Sequence, residues 1–330
     1  MFCNLTIKQM NIQRWIARRE SNWKRLDSLL QEAEKNGIKT LSAESIKDLA
    51  SLYRSVSADL ARARSRQVGN ILIQDLQKLT ARGYNQIYQG SQRQEWQQVK
   101  EFYLWGFPQT VRSNWKYIAI ATGVFLIAAM ISWWYGWRDP TFLAVTVPEY
   151  LIKTVQEDGE LWMGSIVGIE PLASSNITIN NLSVAFGAIA GGITAGIYTL
   201  VIMAYNGLSI GAVATLVGKN NLAYPFWAFV FPHGSLELPA IFFAGGAGLL
   251  IGKAIVFPGK YRRLDALKNN GIEAAKLLFG IIPMLLMAGT IEGFLSPNPL
   301  IPSPIKYLLG TGLFILLIWY CSLHKEAEFR

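Results

Sequence analysis

The sequence predicts an all-α protein: a polytopic helical membrane domain of about six segments, one of them short or broken, behind an N-terminal cytoplasmic helical head. Three observations predict it. Hydrophobic residues make up 51% of the chain and charged residues only 16%, against about 25% charged in an ordinary soluble domain. The charge is polarised: residues 1–116 hold 19 Lys/Arg and 10 Asp/Glu, so the first third carries the whole formal charge of +9 and the remainder is neutral. Apolar runs able to cross about 30 Å of hydrocarbon begin only at Tyr117. That distribution excludes a soluble enzyme, a disordered chain and a disulfide scaffold. Cys3 and Cys321 stand at opposite ends, outside any CxxC pair, and are expected to be free thiols. No cleavable signal peptide is visible before the first apolar run.

Residues 1–91 are expected to form the head. Ile12, Trp15, Ile16, Trp23, Leu26, Leu29, Leu30 and Ala33 make a helical stripe with one gap at Arg19, stopped by Asn36-Gly37. A second helix opens at Ser42 and spaces Ile46, Leu49, Tyr53, Val56, Leu60 and Ala63 alternately three and four apart, a seam that needs a partner. Leu72, Leu76, Leu79 and Ile87 mark a third helix ending near Gly90. Short connections make these an antiparallel hairpin or bundle. Arg54, Arg62, Arg64 and Arg66 form a basic patch on the second helix, with Asp59 in reach of Arg62. Such a patch suits anionic headgroups or nucleic acid. Basic residues beside a bilayer need no nucleic acid to explain them, no nucleic-acid motif is present, and the expected partner is lipid. Residues 92–116, with Trp96, Phe102, Tyr103, Trp105 and Phe107 among Arg93, Glu95 and Lys100, read as an interfacial elbow helix.

The membrane domain is expected over 117–325, with segments at about 117–136, 182–205, 207–218, 226–257, 277–295 and 305–323 and an extracytoplasmic loop at 137–180. Loop 258–276 contains Lys260, Arg262, Arg263, Lys268 and Lys276, whereas 137–180 holds two basic residues and 296–304 none. The positive-inside rule therefore puts both termini in the cytoplasm of a multi-pass plasma-membrane protein. Pro232 and Pro239 interrupt the fourth segment, so residues 224–232 are expected to dip into the membrane as a half-helix. Four glycine pairs recur at a spacing of four: Gly187 and Gly191, Gly192 and Gly196, Gly207 and Gly211, Gly248 and Gly252. Small residues at that spacing let backbones approach closely. They serve either the inside of the bundle or a homo-oligomeric face, of which a dimer is the favoured form.

The chemistry-bearing segment is Phe231 to Pro239. His233, Gly234, Ser235 and Glu237 form a candidate ligand or ion site, because ionisable residues inside a span are costly. The alternative is that His233 and Glu237 bond each other and lock a broken helix. Thr194 and Asn206 read as interhelical hydrogen bonds. No metal and no cofactor is expected. A zinc site takes about three protein ligands, and besides His233 and Glu237 the nearest carboxylate is Glu292, at the far end of the fifth segment. Ser235 and His233, two apart on one helix, point away from each other. No P-loop or dinucleotide fingerprint occurs.

Three stretches together resemble one family. Leu52-Tyr53-Arg54-Ser55-Val56-Ser57-Ala58-Asp59-Leu60-Ala61-Arg62-Ala63-Arg64, then Asn206-Gly207 with Gly211, then Phe231-Pro232-His233-Gly234 with Glu237 are similar to the stage II sporulation protein M family. The resemblance spans residues 12–325, and the long head resembles its non-sporulating branch. It implies an integral membrane scaffold, with His233, Gly234 and Glu237 as signature residues and envelope or peptidoglycan-processing proteins as partners. The leading expectation is accordingly a non-enzymatic scaffold. A transporter or channel-like protein with its site at 224–239 is the alternative, and a membrane-embedded hydrolase comes third.

Overall fold

The computed structural model describes residues 2–66 and 68–324, and their side chains apart from those of 2–11, 39, 89–95 and 140. The Cys3 thiol, Arg93, Glu95 and residue 325 lie outside that set. The chain is α-helical, with no strand among the described residues, and divides into two compact units, 1–101 and 102–330.

In the first unit, α1 (Phe2–Asn36), α2 (Ala43–Arg66) and α3 (Asn70–Tyr84) pack pairwise, and α4 (Gly90–Glu101) follows. Ser42 caps α2 by accepting the Ser45 amide at 3.1 Å, satisfying one of the free donors at the helix start. The core is Trp23, Leu26, Leu29 and Leu30 of α1 against Leu49, Val56, Leu60 and Ala63 of α2 and Leu76 of α3. Ile46, expected in the seam, is exposed instead.

The gap in the α1 stripe has its own partner. Arg19 Nε lies 2.8 Å from Asp59 Oδ2, and Asp59 is fully buried. Trp23 Nε1 donates to the same oxygen at 3.0 Å, and Arg19 also donates to Ser55. Asp59 therefore serves Arg19 rather than Arg62, because the core side of α2 is the side it occupies. Arg54, Arg62, Arg64 and Arg66 are all exposed. Arg82 of α3 clamps Asp27 at 2.5 Å and Glu34 at 2.9 Å on α1. Hydrogen bonding to Glu34, with Asp27 beside it, holds the guanidinium above its ordinary pKa.

The second unit begins with a π-helical turn, 102–106, and α5 (Phe107–Ser113). The expected elbow is thus not one helix. Phe107 and Val111 are buried against α12 and α13, so their aromatic and apolar bulk faces protein rather than headgroups. After α6 (Trp115–Arg138) come the short α7 (Pro140–Thr146) and α8 (Glu149–Gln156), then α9 (Glu170–Ala190), extended by a 3-10 turn to Thr194. Helices α10 (Ile197–Lys219), α11 (Ala223–Val256), α12 (Arg263–Thr290, extended by a π turn to Leu295) and α13 (Ser303–Ser322) complete the unit. Six of these helices are long and apolar enough to cross a membrane. Trp133, Trp134 and Trp137 stay exposed at the end of α6, with the Arg138 guanidinium 4.1 Å over the Trp134 ring, as in an interfacial aromatic belt.

The number of segments agrees with the expectation, but two boundaries move. The run at 182–205 is not one span: the chain reverses at Ala195 (φ 59°) and Gly196 (φ 84°), so the second helix begins at Glu170 and takes in the end of the expected loop. Thr194 Oγ1 accepts the Tyr198 amide at 2.9 Å and starts α10, in place of an interhelical bond. Asn206 likewise donates within its own helix, to the Ile202 carbonyl at 2.8 Å. Hydropathy is blind to such a reversal because no charged residue or proline marks it.

The fourth segment is not broken. Helix α11 runs continuously through Pro232 and Pro239, so no half-helix dips at 224–232. A proline inside a helix frees the carbonyl four residues earlier, which is tolerated where surrounding protein covers it. Helix α11 has that cover, since it packs on α6, α9, α10, α12 and α13 and is the most buried of the six. Pro283 of α12 shows the compensation directly: the Phe279 carbonyl it frees accepts the Tyr103 hydroxyl at 3.0 Å.

The glycine pairs are occupied inside the chain. A methyl on Gly207 would collide with the Phe125 carbonyl oxygen, and one on Gly211 with that of Ala129, so α10 lies directly on α6. Gly248 faces the Ala188 carbonyl, Gly192 faces the Gly248 carbonyl, and Cβ atoms on Gly252 and Gly191 would stand 2.7 Å from Gly196 N and 2.6 Å from Thr199 N. Gly187 and Gly196 meet Ile202 and Leu249. These eight residues seat α9 on α10, α11 on the α9–α10 hairpin and α10 on α6; they do not form an outward face.

Candidate functional site

Two helices bring three ionisable side chains together. His233 and Glu237, one turn apart on α11, share a face, and Glu292 reaches them from the π turn that ends α12. One ligand atom from each can be chosen so that all three lie within 4.8 Å of one another. His233 Nε2 stands 3.7 Å from Glu292 Oε2, with side-chain exposures of 6% and 18%. The other ring nitrogen, Nδ1, is 3.1 Å from Ser296 Oγ. The Phe229 ring meets the imidazole edge to face, centroids 5.4 Å apart. Glu237 Oε2 is buried and has no hydrogen-bond partner among the described residues.

The π turn matters locally. Such turns insert one extra residue and often stand at functional sites. Here Gly289 and Gly293 let it approach α9, where a Cβ would crowd Thr178 and Ser174, and Ser174 donates to the Gly289 carbonyl at 2.9 Å. That close approach carries Glu292 to α11.

The cluster lines a cavity of about 300 Å³ between α9, α10 and α11. Asn180 and Asn181 of α9, Asn206 and Ser209 of α10, and Trp162 and Met163 from the connection before α9 share its wall. The cavity accordingly occupies the half of α11 nearest Ala223.

Of the residues singled out from sequence, His233, Gly234 and Glu237 line the cavity. His233 and Glu237 are not a closed pair, since His233 bonds Ser296 and one Glu237 oxygen has no partner. Ser235 turns away and donates to the Pro232 carbonyl at 2.9 Å. The expectation that no group of three metal-capable ligands exists is corrected: Glu292 joins the two on α11, from 55 residues beyond Glu237 in the chain. The through-space approach of α12 reveals it. Ser296, His233 and Glu292 also align in the order of a serine hydrolase triad. Yet Ser296 is 1% exposed and stands off the cavity wall, so that serine has no route to a substrate there.

Fold and site define the class: a polytopic α-helical membrane protein with ionisable side chains converging on a cavity inside its bundle. The model of the stage II sporulation protein M family matches residues 121–297, just over half of the 330 residues, and the chain belongs to that family. The match contains the whole cluster. A separate model, a domain of unknown function (DUF8413), matches residues 13–89, the first three helices of the head. The chain is similar to an uncharacterized protein of Methanocaldococcus jannaschii, 27% identical over 125 residues, which cover 37% of this chain and 70% of that protein. No solved structure matches.

Proposed function

We propose that the chain is a ligand-binding membrane protein, transporter- or channel-like, whose cavity faces the extracytoplasmic side of a bacterial inner membrane. The convergence of His233, Glu237 and Glu292 on one cavity carries this reading. A charged residue at the centre of a span costs about 2.5–3.5 kcal/mol, and a bundle held by glycine packing does not need three ionisable groups for cohesion. No reaction is assigned, because Ser235 and Ser296 both lie off any path to a substrate.

Glu237→Gln tests the reading. Glutamine keeps the shape and removes the charge, so the variant should fold with a melting temperature near that of the parent while failing to complement a deletion strain. Full complementation by a folded Glu237→Gln protein would remove the carboxylate from the function. That outcome would favour the second reading, a scaffold for envelope or peptidoglycan-processing proteins. Family membership and the separately compact head with its exposed Arg54, Arg62, Arg64 and Arg66 support the scaffold. A homodimer under either reading would use a face other than the glycines, such as the exposed side of α6 or α13.

The proposed orientation has its own test. Single cysteines at Ser165 and Lys268, both exposed, in a Cys3→Ser/Cys321→Ser background, should label from outside and inside respectively. Labelling of position 268 by an impermeant reagent on intact cells would invert the topology.

A further inference from the structure

We propose that His233, Glu237 and Glu292 bind one divalent transition-metal cation, zinc by the character of the donors, in the cavity beside α11. The inference rests on the cavity being the ligand site, and names what it holds.

The charge balance asks for a cation. Two carboxylates enter an apolar bundle, and among the described residues the basic side chain that stands against either is His233, 3.7 Å from Glu292 and a cation only when protonated. Buried charges are ordinarily paired or bound to metal. Glu237 Oε2, buried and without a hydrogen-bond partner, is the independent sign that a group belongs there.

The geometry fits a small ion. Donors around zinc at about 2.1 Å stand about 3.4 Å apart in a tetrahedron and no more than about 4.2 Å apart. The three ligand atoms lie within 4.8 Å of one another, so the widest pair need close by no more than about 1.4 Å. Two glutamate side chains can rotate through that. The imidazole is already held in place: Nδ1 shares a hydrogen bond with Ser296 Oγ, and in the tautomer that donates it the Nε2 lone pair faces the Glu292 side. A second hydrogen bond of this kind orients metal-bound histidines generally. Imidazole with carboxylates suits zinc and its neighbours rather than magnesium or calcium, which take all-oxygen sets. Three protein ligands leave a fourth position open towards the cavity, where water or an anionic ligand would complete the shell.

The test uses the full chain, untagged, in detergent, with Cys3→Ser, Cys321→Ser and His324→Ala removing other soft donors. After dialysis against a chelator, zinc is added and bound metal is counted by mass spectrometry. One zinc per chain and a raised melting temperature are expected. Glu292→Gln and His233→Gln should each weaken binding about a hundredfold or more. Failure of the parent to take up zinc, cobalt or manganese above buffer level overturns the proposal, as does a Glu292→Gln protein that binds like the parent. Should the variants not fold, cobalt on the parent decides. The visible bands of four- or five-coordinate cobalt with nitrogen and oxygen donors support the site, and the pale spectrum of the hydrated ion overturns it. A metal-free parent whose Glu237→Gln variant still loses function sinks the metal and spares the cavity. Stoichiometric zinc with full complementation by Glu237→Gln supports the metal and sinks the cavity's proposed function.

Discussion

Replacing Gly248 with leucine is expected to abolish folded protein. Gly248 lies where α11 crosses the α9–α10 hairpin, and any Cβ there meets the Ala188 carbonyl oxygen and the Thr199 hydroxyl. Backbone cannot retreat as a flexible side chain can. Overpacking a well-filled core costs about 1–3 kcal/mol, and more where the neighbour is rigid. Here the displaced helix is the one every other span packs on, and Thr199 loses its 2.7 Å bond to Ala188 as well. Membrane-inserted protein should fall to a small fraction of the parent, read by fluorescence-detected size exclusion. Gly123→Leu is the control, since a Cβ at that position meets nothing within 4 Å. A folded Gly248→Leu particle of halved mass would return Gly248 and Gly252 to an interface between copies.

The head offers the second large effect. Arg19→Ala should destabilise it by about 3–5 kcal/mol, the cost of leaving one member of a buried ion pair alone. Asp59 is fully buried, and without Arg19 its one remaining hydrogen-bond donor among the described residues would be the Trp23 indole. The reverse change, Asp59→Ala, should cost less, because Arg19 keeps 28% of its side chain exposed and can turn to water. The double mutant should fall well short of the sum. Hydrogen exchange of α1 and α2 amides in the solubilised full chain measures all three. Equal losses from both single variants would show that the pair behaves as a surface contact.

The same ion pair shows where sequence reading stops. The apolar stripe of α1 and the seam of α2 place the head core nearly residue by residue, because helical periodicity is local. Arg19 interrupts that stripe and looks like an error in it; only the packing of α1 on α2 supplies Asp59 and turns the gap into a contact. In the membrane unit the six segments are legible from hydropathy, which averages over some twenty residues. The α9–α10 reversal is not, because backbone geometry at Ala195 and Gly196 makes it and no charged residue marks it. Pro232 and Pro239 suggest a break for a sound local reason, and the surrounding helices remove the need for one. The site divides the same way. His233 and Glu237 stand out as ionisable residues in an apolar run, whereas Glu292 sits near the end of its segment and looks like an ordinary boundary residue. One signal was available: Gly289 and Gly293 flank it at the spacing read elsewhere as close packing.

The two-residue reversal at Ala195 and Gly196 also constrains how the chain enters its membrane. Helix α9 is the least apolar of the six and carries Asn180 and Asn181 towards the cavity. A tether this short keeps the start of α10 beside the end of α9, and Thr199 of one arm bonds the Ala188 carbonyl of the other. Helices α9 and α10 are therefore expected to enter lipid as a pair rather than as two independent spans, with α11 closing on the surface the pair presents.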